Sequence, residues 1–234
     1  MNTERKTASL FGWLFIATFV LSIPAYFIFY APVSDEPGYI TGAGADESFV
    51  VGLGALSETL LIIANVGTAT VLYRIIRRQS EAGALSYVAA RIMESVFIGI
   101  GVIAMLTLLF LREESPAIGD AAFGQLLLGV YDRAFLLGPG FFAGLANGVI
   151  LGWLMYRSGL VPRGMAMLGL VGGPLLLLSA AAIMLGLAER AGTLQSIATI
   201  PEFFWELSLG IYCVVKGFKP SPILDDLEPS AAAV

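Results

Sequence analysis

"SYVAARIMESVFIGIGVIAML", residues 86–106, is long and apolar enough to cross a bilayer, yet it carries Arg91 and Glu94. A charge near the centre of a helix in lipid costs at least ~2.5 kcal/mol, so these two side chains need partners, water or a short route to the headgroups. They stand three residues apart, about 60° apart on one helix face. A paired polar face on an apolar helix points to a bundle of membrane-spanning helices with a polar interior.

The rest of the chain agrees. Of 234 residues, 57% are hydrophobic and 13% charged, half the charge of an ordinary soluble domain. The mean hydropathy is +0.84. Segments of about 20 apolar residues that can span a membrane lie at 8–31, 49–73, 84–111, 135–156, 165–188 and 197–215. The first follows Arg5 and Lys6 and is too long for a signal-peptide core, so it reads as a retained helix. The fold expectation is all-α and integral to the membrane. Six transmembrane helices form one domain over 1–219, and 220–234 are a disordered cytoplasmic tail. Residues 120–134 are apolar but short and precede Gly138-Pro139-Gly140, so they read as a separate outer interfacial helix before helix four. Gly172, Gly173 and Pro174 predict a kink in helix five. "LVPRG", residues 160–164, resembles a protease-tag sequence but sits between two spans and reads as native loop.

Lys and Arg sort by side. Arg5, Lys6, Arg74, Arg77, Arg78, Arg157, Arg163, Lys216 and Lys219 fall on one side of the six-span arrangement. Only Arg112, Arg133 and Arg190 fall on the other, where the 31–48 loop carries Asp35, Glu36, Asp46 and Glu47. The positive-inside rule then places both termini in the cytoplasm.

The polar residues of the spans fall on single faces. Glu58 and Asn65 lie about 20° apart on helix two, and Glu202 and Glu206 about 40° apart on helix six. Counting ~1.5 Å per residue from the cytoplasmic ends puts Asn65, Arg91, Glu94, Asn147 and Glu206 in one layer at roughly 10–15 Å. Glu58 and Glu202 lie further out, at roughly 20–22 Å. Arg91 is thereby expected to pair with Glu94 and Glu206. Snorkelling toward the cytoplasm and a purely structural ion network are the competing readings. The spans and outer rim hold Glu58, Glu94, Asp132, Glu202 and Glu206 against Arg91 and Arg133. A carboxylate without a counter-charge protonates, meets water or holds a cation.

Helix four carries Gly140, Gly144, Gly148 and Gly152 at four-residue steps. Small residues at this spacing let another helix approach closely, inside the bundle in preference to across a homo-oligomer contact.

The composition also excludes. There is no histidine and a single cysteine, Cys213, so His-based metal, haem and nucleophile chemistry and an intrachain disulfide are all ruled out. No metal site and no cofactor are expected. No basic cluster suggests nucleic acid. No catalytic constellation is visible, so an intramembrane enzyme is the weakest reading. The first reading is a membrane protein that binds or moves a small solute, proton or lipid through the polar layer. The alternative is a structural or sensory component whose network only fixes packing.

"YVAARIMES", "DRAFLLGPGFFAGLANGVILGWLMYRSGLVPR" and "PEFFWELSLGIYCVVKGF", with the N-terminal "MNTERKTASLFGWLF", resemble the bacterial membrane family known as domain of unknown function 4386. The resemblance covers nearly the whole chain. It implies a multi-span protein of the bacterial inner membrane without an assigned activity. By that resemblance Arg91, Glu94, Gly138, Pro139, Gly140 and Glu206 match recurrent positions, Trp205 fits, and Glu202 is a departure.

Overall fold

The computed structural model describes residues 3–35, 39–41, 46–114 and 121–224. The described residues form helices and connecting turns, with no strand among them. Six helices are long and apolar enough to cross a membrane: α1 (Thr3–Ser34), α2 (Ser48–Ile76), α3 (Glu81–Glu113), α4 (Ala121–Ser158), α5 (Arg163–Met184) and α6 (Thr193–Val215). Each packs on its neighbours in sequence, and α6 closes on α1, so the six make a ring. Short connections between antiparallel helices favour this order.

The closure of α6 on α1 is tight. Gly12 lies against the backbone of Gly210, where an added methyl would stand 2.6 Å from the Gly210 carbonyl oxygen. At the same end, the Arg5 guanidinium donates to the carbonyls of Val214 at 2.8 Å and Val215 at 2.9 Å. These are terminal carbonyls of α6, which have no intrahelical donor. A cation there also complements the helix dipole. The two chain ends therefore share one end of the bundle.

The α4–α5 connection sits at this end too. Gly159 closes α4 in the left-handed conformation, φ +67°, which a side chain would strain. The "LVPRG" loop that follows is built into the bundle, with Leu160 and Val161 buried. Residues past Lys219 pack on it. The Lys219 amide donates to the Leu160 carbonyl at 2.8 Å, and the Ser221 hydroxyl to the Ser158 carbonyl at 2.7 Å. Leu224 is buried. The expected disordered tail thus has its first residues, through Leu224, in contact with the bundle, and 225–234 lie outside the described residues.

Residues 121–135 are helical as expected, but they are not a separate interfacial helix. They run without a break into the fourth span. Gly138-Pro139-Gly140 neither ends nor interrupts the rod, because the backbone widens to π-helical turns over Leu136–Phe142 and Gly144–Leu151. A proline has no amide proton to donate, and an i→i+5 register accommodates that loss, as in the Ala143 amide donating to the Gly138 carbonyl. At ~1.5 Å per residue α4 is about 57 Å long, against a hydrocarbon core of ~30 Å, so its outer end reaches the interface or beyond. Pro174 lies inside α5, which continues through it. The start of the expected interfacial helix, Asp120, and Glu36 of the acidic loop lie outside the described residues.

The opposite end is fastened by polar contacts. Arg190, in the α5–α6 connection, forms an ion pair with Asp132 of α4. Its guanidinium also lies over the Phe135 ring at 5.1 Å. Arg112 donates to the Tyr39 carbonyl and covers the Tyr39 ring at 4.0 Å. Ahead of α2, Asp46 accepts from the Ser48 hydroxyl at 2.8 Å and the Ser48 amide at 3.2 Å. These bonds hold the Asp46 carboxyl below its ordinary range.

Candidate functional site

The helical repeat turns Arg91 and Glu94 inward, where both are buried. Arg91 does not snorkel. Its Nη1 donates to Glu94 Oε2 at 2.6 Å and its Nη2 to Asn65 Oδ1 at 2.6 Å. Nη2 also reaches the Thr68 hydroxyl at 3.3 Å, and the guanidinium stands 5.7 Å from the Phe15 ring centre. The Asn65 amide then donates to Glu94 Oε1 at 3.1 Å. Arg91, Glu94 and Asn65 thus close a triangle between α2 and α3. In this triangle the cation meets a carboxylate and the amide uses both its donor and its acceptor.

Glu206 stands apart from that triangle. Its Oε1 accepts from the Asn147 amide at 2.7 Å, and no ion pair joins it to Arg91. The expected direct Arg91–Glu206 pair is corrected accordingly. The rotation of α6 within the ring brings Glu206 within bonding distance of Asn147 on α4. Asn147 is itself fixed: its side-chain oxygen faces the Tyr87 hydroxyl at 3.4 Å, and its carbonyl accepts from Trp205 Nε1 at 2.9 Å.

The outer layer also divides. Glu58 is not beside Glu202. It accepts from the Tyr131 hydroxyl at 3.0 Å and the Tyr30 hydroxyl at 3.2 Å. The two rings meet edge to face at 5.2 Å. Glycines on the neighbouring helices make room for them. A methyl on Gly54 would stand 2.6 Å from the Tyr30 ring, and one on Gly101 3.1 Å from the Tyr131 ring. Neither tyrosine is conspicuous in the sequence. The signal that could have found them is a buried Glu58 that needs donors, with tyrosines at its depth on α1 and α4.

Three of the four ridge glycines pack against α5. A methyl on Gly148 would lie 2.3 Å from the Gly173 Cα, one on Gly144 3.1 Å from the Gly173 carbonyl oxygen, and one on Gly152 3.2 Å from the Leu170 amide. Gly140 is different, since the nearest atom to its added methyl stands at 3.5 Å. Gly173, which with Gly172 the sequence suggests as a kink, supplies the other side of this contact, while Gly172 faces Glu202 of α6.

Between these groups lies a central cavity of about 230 Å³. All six helices line it. Its polar wall is Asn65, Arg91, Glu94, Glu202 and Glu206, with Gln195 and Thr199 nearer the rim. Pro139 and Gly140 form part of the α4 wall, and Glu58 and Asn147 are not in the lining. The exposed members of the lining, Ile23, Phe203 and Thr199, belong to α1 and α6, so the cavity opens between these two helices. Its volume exceeds the ~150 Å³ that holds a benzene ring in a protein core and corresponds to roughly eight water molecules.

These features define a multi-span helical membrane protein with a cavity inside its helix ring that carries one polar wall. The chain belongs to the family described as Domain of unknown function (DUF4386), whose match covers residues 10–217. No curated protein and no solved structure shows a significant match.

Proposed function

We propose that this is a non-enzymatic protein of the bacterial inner membrane that binds or moves a small solute, a proton or a lipid through its intramembrane polar cavity. One observation carries the reading: a cavity of about 230 Å³ reaches Arg91, Glu94, Glu202 and Glu206 inside a helix bundle. A purely packed ion network has no need of such a space. The absence of histidine and the burial of Cys213 away from the cavity lining support a role without chemistry. The basic asymmetry, nine residues against three, supports cytoplasmic termini. Membrane lipids are its surroundings, and its glycine ridge is used within one chain.

Cysteine accessibility tests the cavity. In a Cys213→Ala background, Ala143→Cys on the cavity wall should react with a small water-soluble thiol reagent in membranes. Leu178→Cys, on the exposed face of α5, should not. Equal, slow labelling at both positions would leave a dry cavity and favour the structural or sensory alternative. That alternative has one observation in its favour, the closed ring of hydrogen bonds among Arg91, Glu94 and Asn65.

A further inference from the structure

We infer that the cavity takes a small organic cation, with its ammonium group on Glu202 and Glu206 and its apolar body against Phe19, Phe135 and Phe203. This rests on the proposed reading of the cavity as a ligand site and names the ligand class.

Glu202 carries the argument. It is 3% exposed, lies on the cavity wall, and neither of its carboxylate oxygens has a hydrogen-bond donor. Buried carboxylates are costly without donors or a counter-charge. The back of this one is closed by backbone. An added methyl on Gly148 would stand 2.5 Å from Oε2, and one on Gly172 2.8 Å from it. The side left open to donors is the cavity.

The wall has few to give. The Asn65 amide is committed to Glu94, the Thr18 hydroxyl to the Phe15 carbonyl and the Thr199 hydroxyl to the Gln195 carbonyl. Arg91 Nε is the one buried donor of the lining left over, against the two oxygens of Glu202. Charge tells the same story: Arg91 faces Glu94, Glu202 and Glu206 and is already paired with Glu94. The space therefore calls for a positively charged donor.

The rest of the wall selects its form. Among the described residues no three acidic or cysteine side chains are placed to hold a metal ion together. Phe19 and Phe203 meet edge to face at 5.2 Å beside the opening, and Phe135 also lines the cavity. Aromatic faces attract cations and accept hydrocarbon. An ammonium on a small apolar body satisfies both parts of the wall. A free amine and an ammonium lipid headgroup share this chemistry.

The test uses the purified full chain in detergent, with phenethylammonium chloride as the probe and 2-phenylethanol as its neutral counterpart. Saturable thermal stabilisation by the ammonium compound and not by the alcohol is the expected result. Glu202→Gln should weaken that binding by about 10- to 100-fold, the scale of losing a buried charged partner. Equal stabilisation by both compounds would overturn the cation and leave only an apolar hole. Binding of neither would also overturn it, and the Ala143→Cys labelling then reports separately whether the cavity itself is real. Should Glu202→Gln fail to fold, the amine–alcohol comparison on the unaltered chain stands, and Phe203→Ala should still weaken amine binding. In nanodiscs of phosphatidylglycerol, adding phosphatidylethanolamine distinguishes the sources: competition with the amine assigns the headgroup, and no competition assigns a free amine.

Discussion

Glu206 and Arg91 line one cavity without bonding to each other: Glu206 is held by Asn147 at 2.7 Å, and Arg91 by Glu94 at 2.6 Å. The partition predicts unequal couplings. Arg91→Ala leaves Glu94 buried without its cation, a loss on the scale of ~3–5 kcal/mol. In double-mutant cycles read by thermal unfolding, Arg91→Ala should couple strongly to Glu94→Gln and only weakly to Glu206→Gln. A coupling to Glu206 as large as that to Glu94 would show that the two carboxylates share the guanidinium.

The glycine ridge gives a graded prediction along one helix. Gly148→Ala would place a methyl 2.3 Å from the Gly173 Cα, where only backbone can yield. Gly140→Ala finds its nearest neighbour at 3.5 Å, an ordinary contact. Overpacking of this kind costs about 1–3 kcal/mol, and more when backbones must separate. Gly148→Ala should therefore lower the unfolding temperature of the purified protein clearly, while Gly140→Ala leaves it nearly unchanged. Equal effects would mean that α4 and α5 can slide apart at little cost.

How much was legible depended on which quantity the helical repeat fixes. Spacing sets which residues share a face, so Asn65, Arg91, Glu94 and Glu206 could be assigned to one polar interior. Spacing does not set how far each helix rotates in the ring, and that rotation gave Glu206 to Asn147 and separated Glu58 from Glu202. The ridge Gly144, Gly148 and Gly152 could be read because four-residue spacing is a local property. Its partner Gly173, in the Gly172-Gly173-Pro174 run, could equally signify a bend, and only packing distinguishes the two. Pro139 reads as a break because its lost hydrogen bond is certain, while the π-helical register that absorbs the loss has no signature in composition. Glu202 was visible as an acid on α6, but its lack of donors appears only when every neighbouring donor is assigned.

Side orientation yields a simple expectation. With Arg5 bound to the last carbonyls of α6, the N-terminus and the end of the sixth helix lie at one end of the bundle. The basic residues concentrate at that same end, which the positive-inside rule places in the cytoplasm. Alkaline phosphatase fused after Lys219 should be inactive, and a fluorescent protein at the same site should fold and emit. An active phosphatase fusion would reverse the topology.

The tyrosine pair on Glu58 offers a test independent of the cavity. Tyr131 and Tyr30 donate to separate oxygens of one buried carboxylate, at 3.0 and 3.2 Å. Each phenylalanine substitution removes a hydrogen bond to a charged acceptor and leaves the ring packing in place. The expected loss is about 1.5–3 kcal/mol for each. Removing both hydroxyls leaves Glu58 with neither donor, so the double substitution should exceed the sum of the two singles. Glu58→Gln in the doubly substituted background should then restore part of the stability, because a neutral amide costs less to bury than an unpartnered carboxylate. Thermal unfolding of the four variants measures this. Additive single effects and no recovery with glutamine would mean that water, not the two phenols, keeps Glu58 satisfied.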